Sequence, residues 1–201
     1  MVYGGGWAGP ALWTTTAGYA HDGINTTRGF AGVGSAKEAH GGDELTLAAQ
    51  GSLPMVVNGA TVTPKAGVPF LHLHESAFSE TGANGLDLSS GARSTDSLQP
   101  YVALSVAQTF GTAEETQLTP ELRLGYSREV LSNSRVLTVG TLDATNFLVQ
   151  GVNPSKNMLT AGVGVTVRAR DDLFLYANYD ALVRTGNTAA QTVSAGLRVR
   201  F

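Results

Sequence analysis

The chain has 201 residues and a formal net charge of −3. Charged residues make up 14% of the sequence, well below the roughly 25% of a typical soluble domain. A hydrophobic content of 42% excludes a disordered chain, and the slightly acidic balance excludes a nucleic-acid partner. The sequence has no cysteine, which excludes a disulfide framework and a thiolate metal site.

The first twenty residues carry no charge, yet they fit neither a signal peptide nor a spanning helix. A signal peptide needs a basic start and an apolar block, whereas this stretch contains Gly4, Gly5, Gly6 and Pro10. A spanning helix needs about 20 predominantly apolar residues, and no window of the sequence supplies them. If the chain crosses a membrane, it has to do so as a closed β-barrel, because only a barrel then satisfies the backbone polar groups.

Alternation of apolar and polar residues, the period of a β-strand, predicts strands over residues 12–24, 45–55 and 62–78, with room for another in 28–43. Near Pro69 the apolar positions pass from Val68 and Phe70 to Leu71 and Leu73. Such a change of parity within one strand predicts a β-bulge.

The central part of the chain predicts three more strands, over residues 98–106, 118–126 and 135–150. In the second of these, leucines at 118, 122 and 124 alternate with polar residues and Gly125. The third is mixed in character, and its position between two clearer strands is the reason for assigning it.

The C-terminal part gives the clearest alternation, with strands over residues 159–170, 173–183 and 193–201. A polar turn at residues 170–172 and a loop at 185–191 separate them. These three strands each have about ten or more residues, which matches the 9 to 11 needed to cross a bilayer at a tilt and exceeds the usual length of a soluble strand. The whole chain thus predicts nine strands.

The two faces of these strands differ in chemistry. One face is rich in Val, Ala and Leu, as a lipid-facing band is, and the other carries glycine and charged residues. A soluble sandwich or barrel gives the same alternation, so the period alone leaves both classes open. The residues predicted to face a watery lumen are Glu121, Arg123, Arg168, Asp180, Arg198 and Arg200.

Few residues could carry chemistry. His72 and His74 point the same way on one strand, next to Glu75, and two imidazoles at that spacing could hold a metal. No third ligand is evident, so lumen-facing or loop positions are the favoured interpretation and no metal is predicted. A hydrolase would need a histidine base oriented by a carboxylate, and the candidates are His21, Asp22, His74 and Asp96. No sequence pattern pairs one of these histidines with one of these carboxylates as base and orienting residue. We therefore predict no catalytic residue and no cofactor.

The last eight residues follow the pattern polar-x-Gly-x-x-apolar-x-apolar. Ser194, Gly196, Val199 and the terminal Phe201 occupy its defining positions. This resembles the C-terminal β-signal of bacterial outer-membrane proteins, which implies recognition by the barrel assembly machinery of that membrane.

Several upstream motifs resemble the β-domain of autotransporters, the type V secretion proteins. A Thr-Pro-x-Ala-Gly run starts at Thr63, a Glu-x-Gly follows at Glu80, and the Tyr-Asp pair of a penultimate strand falls at Tyr179. The other correspondences are Leu118, Thr119 and Pro120 with Gly125 and Tyr126, and Arg28 after Tyr19. The family's Gly-x-Arg is absent near Leu104. The resemblance covers roughly residues 11–201.

This resemblance implies an all-β fold, an antiparallel transmembrane β-barrel in which residues 1–201 provide about nine strands of a twelve-stranded up-and-down barrel. It also implies the outer membrane of a Gram-negative bacterium, contact with its lipid, and export of a covalently attached passenger. We expect the first strands, the plug helix and the passenger to be missing from this chain. The alternatives are a stand-alone porin-like or adhesin barrel and a soluble ligand-binding β-barrel.

Overall fold

A computed structural model describes residues 1–112, 116–131, 136–141, 145–151, 156–185 and 188–200. Their regular secondary structure is entirely β, and none of them forms a helix long and apolar enough to span a membrane. The strands are β1 (Val2–Ala8), β2 (Ala11–Phe30), β3 (Gly34–Ser52), β4 (Met55–Val57), β5 (Ala60–Glu75), β6 (Phe78–Ser79), β7 (Leu88–Ser90), β8 (Arg93–Leu98), β9 (Tyr101–Gln108), β10 (Gln117–Arg128), β11 (Val136–Thr141), β12 (Asn146–Gln150), β13 (Asn157–Arg168), β14 (Leu173–Arg184) and β15 (Thr188–Val199).

The main sheet is an antiparallel meander. Its strand order is β1-β2-β3-β5-β9-β10-β13-β14-β15, and β4 and β8 pair with β5 beside this path. Within the described residues, β1 and β15 are the two ends of the path. A second sheet, in the order β12-β11-β7-β6, is built from the segments that connect the long strands; we call it the cap.

The sequence predicted nine strands, and the path has nine, but two assignments differ. β1 was missed because three consecutive glycines hide its alternation, and it exists because its backbone pairs with β2 from Val2 to Ala8. Residues 135–150 were predicted to be one barrel strand, which is wrong. Their described residues form β11 and β12, a hairpin of the cap that pairs with β7.

Residues 28–43, which left room for another strand, do not form a separate one. These residues continue the two strands on either side, which reach 20 residues in β2 and 19 in β3. A strand needs only about 9 to 11 residues to cross a bilayer. β2 and β3 are therefore about twice as long as a bilayer-crossing strand needs to be, and the cap contacts β3.

The bulge predicted near Pro69 is absent. β5 pairs with β3 in unbroken register from Lys65 to Glu75, and Gln99 N donates to Pro69 O at 3.1 Å to continue the ladder towards β8. The apolar residues change sides while the backbone stays regular. The change therefore marks a point along β5 where the surroundings of both faces change.

The loop predicted at residues 185–191 is shorter than expected. β15 starts at Thr188 and pairs residue by residue with β14, down to Arg184 opposite Thr188. Ala189 and Ala190 carry no strong alternation, so the sequence gives no strand signal there. The ladder of hydrogen bonds to β14 extends the strand across them.

Burial is inverted relative to a soluble protein. The alternating exposed residues of β10 are Leu118, Leu122 and Leu124, at 44%, 48% and 49% of their maximum. The buried hydrophobic residues among those described are only Ala36, Ala83 and Val139. A soluble domain rarely exposes a contiguous apolar surface of this extent, so the apolar face of this sheet needs an apolar surrounding.

Candidate functional site

The two faces of the main sheet separate the side chains as the alternation predicted. The side that carries Glu121, Arg123 and Asp180 is called the polar face. The side that carries Leu122 and Val163 is called the apolar face. The other predicted lumen residues, Arg168 on β13, Arg198 on β15 and Arg200 just after it, lie on the polar face as well. The register of β10, β13, β14 and β15 places five of these residues on one face. Arg200, just after β15, has its guanidinium over the Phe174 ring of the same face. That this face lines a lumen stays a prediction.

Arg123 is the centre of an ion-pair network on the polar face. Its Nη2 lies 3.0 Å from Asp180 Oδ1, and its Nη1 lies 2.9 Å from Glu121 Oε2. Nη1 also donates to Asn178 Oδ1 at 3.2 Å. The network joins β10 to β14 across the intervening β13, so it fixes three strands relative to one another.

Gly162 and Gly164 make this bridge possible. They are the β13 residues directly between Arg123 or Glu121 on β10 and Asp180 or Asn178 on β14. A Cβ on Gly162 would overlap Asp180 Oδ1, and one on Gly164 would lie 2.9 Å from Arg123 Nη1. The two glycines therefore provide the space in which the guanidinium lies flat across the strand.

Replacing Gly162 tests this packing. Gly162→Ala should lower the free energy of unfolding by about 0.2–1 kcal/mol, the usual contribution of an ion pair this exposed, because the added methyl group forces the Asp180 carboxylate away from Arg123. Gly51→Ala is the matched control, since a Cβ at this β3 glycine meets nothing within 4 Å. Urea denaturation of the protein in detergent compares the two, and equal midpoints would show that the glycine gap is not needed.

The residues of the predicted assembly signal lie on β15. Ser194 pairs with Asn178 and Gly196 with Tyr176 on the polar face, whereas Val199 is on the apolar face. The Tyr176 ring covers Gly196, with its Cζ 2.6 Å from where a Cβ would be. Phe201 lies outside the described residues.

A second ionic contact fastens the cap to the main sheet. Arg28, near the end of β2, donates through Nε to Glu80 Oε1 at 2.8 Å, and its Nη2 bonds to Glu80 Oε2. Glu80 Oε2 also accepts from Leu88 N at 2.9 Å. The Glu80 side chain is only 5% exposed, so the guanidinium neutralises a nearly buried carboxylate.

The backbone around Glu80 lies against the free edge of β3. Lys37 and Thr81 exchange two hydrogen bonds of 2.9 Å. Gly82 has a φ of +104°, and a Cβ there would lie 2.7 Å from Ser35 O. The Glu-x-Gly motif thus has a physical reason, because the Glu pairs with Arg28 and the Gly allows this close approach to β3.

This contact has a defined dependence on pH. The hydrogen bond from Arg28 holds the pKa of the Glu80 carboxyl below its ordinary value, with a further contribution from Leu88 N–H and an opposing one from burial. A carboxyl with a lowered folded pKa stabilises the folded state above its unfolded pKa, about 4.3. That contribution is lost as the pH falls through the folded value.

We therefore expect the contribution of the Arg28–Glu80 pair to cap stability to be constant from pH 5 to pH 8 and to be lost progressively below pH 4.3. Glu80→Gln removes the titrating group and should flatten its share of this dependence. Amide hydrogen exchange at Thr81 and Leu88, measured across this range, checks the expectation. A Glu80→Gln variant with the same loss of protection below pH 4.3 as the parent protein would contradict it.

The histidines of β5 lie elsewhere than expected. His72 and His74 are on the same side of β5 as Val68 and Phe70, so they lie beyond the apolar residues rather than on the polar face. His72 Nδ1 lies 2.6 Å from Asp96 Oδ1, and His74 Nδ1 lies 3.0 Å from Ser94 Oγ. His21 and Tyr19 share Asp43 next to them, at 2.9 and 2.5 Å.

The expectation that His72 and His74 face the lumen or a loop is therefore wrong, since they sit on a strand beyond the lipid-type band. Across the described ranges, no group of three or more His, Asp or Glu side chains is arranged to hold a metal ion. His21, His72 and His74 instead each have one ring nitrogen bonded to a side chain of a neighbouring strand. This belt of polar residues marks where the apolar face ends.

An antiparallel meander with an exposed apolar face and a charged opposite face is the sheet of a transmembrane β-barrel. The chain belongs to the autotransporter β-domain family, because residues 1–180 match the family model described as Autotransporter beta-domain. Members of this family are outer-membrane proteins of Gram-negative bacteria. The match starts before residue 11, where the motifs begin, and ends before β15.

Solved structures show the same fold. The chain is similar to the translocator domain of the autotransporter NalP from Neisseria meningitidis, with a TM-score of 0.70 and 18% identity over 98% of this chain. It spans 63% of that NalP domain. A search of curated protein sequences returns no match.

Two further structures resemble it more distantly. The transport unit of AIDA-I from Escherichia coli has a TM-score of 0.35 and 10% identity, over 95% of this chain and 84% of that one. The β-domain of the Bordetella autotransporter Brka has a TM-score of 0.33 and 13% identity, over 94% of this chain and 92% of that one. TM-scores this low do not define a shared strand arrangement.

Proposed function

We propose that this chain is the membrane-embedded part of an autotransporter translocator, which anchors in the outer membrane and carries a covalently attached passenger across it. The observation that carries the proposal is the inverted burial of a sheet from this family. Leucines and valines are exposed on one face while Arg123 and its carboxylates occupy the other. Lipid satisfies the first face and water or a polypeptide the second.

The same inversion opposes a soluble ligand-binding barrel. In such a barrel the apolar side chains fill the interior and the charged ones face water. Here Leu124 and Val163 are about half exposed, at 49% and 52%, and Leu197 is exposed at 65%. The interior-type packing that a soluble barrel needs is therefore on neither face of the described sheet.

We infer further that the polar face lines the translocation pore and that preceding polypeptide completes the barrel. Among the residues that the structure describes, β1 and β15 each end the strand path, and an unpaired strand edge in lipid leaves backbone groups that cost several kcal/mol each. The 63% coverage of the NalP domain is consistent with additional strands. A segment that pairs with the free edges of β1 and β15 removes this cost.

Surface exposure of a passenger tests the proposal. We would express the chain with its upstream coding sequence in a Gram-negative host and place an epitope in the polypeptide ahead of the barrel. Protease added to intact cells should remove the epitope while the barrel stays in the membrane fraction. An epitope that stays protected, with the barrel correctly inserted, would refute export.

The proposed assembly signal gives a separate expectation. Deleting Phe201 should abolish membrane insertion in cells, although one lost aromatic side chain costs only about 1.5–3 kcal/mol of burial. The purified variant should still refold in detergent, because no assembly machinery is involved there. Heat-dependent gel mobility measures both, and normal membrane levels of the variant would remove Phe201 from the signal.

A further inference from the structure

Two arginines at one end of the polar face stack on the same phenylalanine ring, and neither has a side-chain carboxylate partner among the described residues. Arg198 on β15 pairs across the ladder with Phe174 on β14, which pairs with Arg168 on β13. Arg200 follows in sequence, and its backbone N donates to Asp172 O at 2.8 Å. These residues form a row at the end of the sheet where β13 and β14 are joined by the short turn 169–172; we call Arg168, Phe174, Arg198 and Arg200 the basic collar.

Phe174 holds both guanidinium groups of β15 and its continuation. The Cζ of Arg198 lies 4.8 Å from the centre of the Phe174 ring, and the Cζ of Arg200 lies 6.0 Å from it. A guanidinium over a ring face is attracted by the ring electrons. Its N–H donors lie in its own plane, so stacking leaves them free for the two oxygens of a carboxylate.

The charges of the neighbouring arginines are already compensated. Arg168 forms an ion pair with Asp171, Arg170 lies 3.7 Å from Asp172, and Arg123 has Glu121 and Asp180. Within the ranges that the structure describes, no side-chain carboxylate lies within 4.0 Å of a guanidinium nitrogen of Arg198 or Arg200. The collar therefore has an excess of positive charge, in a chain whose net charge is −3.

We propose that the basic collar is a binding site for the carboxylates of an acidic polypeptide segment at the mouth of the barrel. The inference rests on the proposed function, because it needs the polar face to line a pore that contains polypeptide. A lipid headgroup is disfavoured as the occupant, since Arg198 and Phe174 lie on the face opposite the lipid-type residues. The complementary ligand is a run of Asp or Glu side chains, each taken by one stacked guanidinium.

A labelled acidic peptide tests the collar directly. The chain is produced together with the preceding segment that completes its barrel and refolded in detergent. Binding of fluorescein-labelled hexaglutamate is followed by fluorescence anisotropy, with hexaglutamine as the uncharged control. The parent protein should bind hexaglutamate only. Arg198→Gln/Arg200→Gln should weaken binding at least tenfold, while Arg184→Gln, at the opposite end of the polar face of β14, should leave it unchanged.

A second variant separates recognition from folding. Arg198→Lys/Arg200→Lys retains the charges but loses the flat stacked fork, so it should bind several-fold more weakly than the parent with the same β-sheet circular dichroism. Wild-type affinity in the Gln double variant, or equal loss in Arg184→Gln, would overturn the site. Complete displacement of hexaglutamate by equimolar inorganic phosphate would also overturn the proposal, because it would show that the collar binds any small anion.

These outcomes are independent of export. A passenger that stays inside the cell while hexaglutamate binding persists counts against the proposed function and leaves the collar as a peptide site. A passenger that is exported by a chain without hexaglutamate affinity overturns the collar alone.

Discussion

Replacing Arg28 with methionine should open the cap while leaving the main sheet folded. The change leaves the Glu80 carboxylate charged, nearly buried and supported only by Leu88 N–H. Removing one partner of a buried ion pair costs about 3–5 kcal/mol, and the partial exposure of Arg28 places the expected loss near about 3 kcal/mol. Hydrogen exchange at Lys37 and Thr81 should accelerate by about a hundredfold.

A second substitution shows whether the unpaired charge is the cause. Arg28→Met/Glu80→Gln removes both charges, so it should recover a large part of the protection that Arg28→Met loses. Amides in the β13–β14 ladder, such as Val163, serve as internal references and should not change in either variant. Unchanged exchange at Lys37 and Thr81 in Arg28→Met would show that the Arg28–Glu80 pair does not hold the cap.

Val163→Arg should strongly reduce insertion into lipid. Val163 lies in the middle of β13 on the apolar face, between Leu122 of β10 and Tyr179 of β14. An arginine on the lipid face of a barrel costs about 2–4 kcal/mol at the bilayer midplane. Both proteins are folded into lipid vesicles together with the preceding segment that completes the barrel. Heat-dependent gel mobility should then give a folded fraction that is far smaller for Val163→Arg than for the parent.

Thr166→Arg is the matched change on the other face of the same strand. Thr166 lies between Thr119 and Tyr176 on the polar face, where an arginine remains hydrated, so insertion should stay close to that of the parent. Equal tolerance of the two arginines would mean that the two faces do not differ in their surroundings.

The sequence was most informative where strand pairing and environment act together. In β10, β13 and β14, one face has apolar surroundings and the other has polar surroundings. Apolar and polar side chains therefore alternate with the two-residue period of the strand. In β1 the three glycines have no side chains that could alternate between apolar and polar. The strand is formed by its backbone hydrogen bonds to β2. The prediction of one barrel strand over residues 135–150 was wrong for a related reason. The period alone does not distinguish the apolar residues of a short hairpin from those of a barrel strand.

The site shows a similar division. Parity alone placed Arg123 and Asp180 on one face, but their contact depends on the register of three strands and on the gap at Gly162, which a sequence does not specify directly. Arg28 and Glu80 were both noted through family motifs, yet their pairing requires the projecting end of β2 to meet the cap. The position of His72 was missed because the change of environment along β5 looks like a bulge in the sequence.

The central claim is that the apolar face contacts lipid and the polar face contacts water, and cysteine scanning measures this directly. The chain has no cysteine, so single cysteines can be introduced in turn at residues 159–161, 163 and 165–167 of β13. Gly162 and Gly164 are kept, because a Cβ there overlaps the Arg123 network, and the protein is folded into lipid vesicles together with the preceding segment that completes its barrel. A water-soluble thiol reagent should label the even-numbered positions and spare the odd-numbered ones, which should become reactive when lipid is replaced by denaturant. Uniform labelling, labelling of the odd-numbered positions, or a chain that folds in water without lipid would contradict the claim.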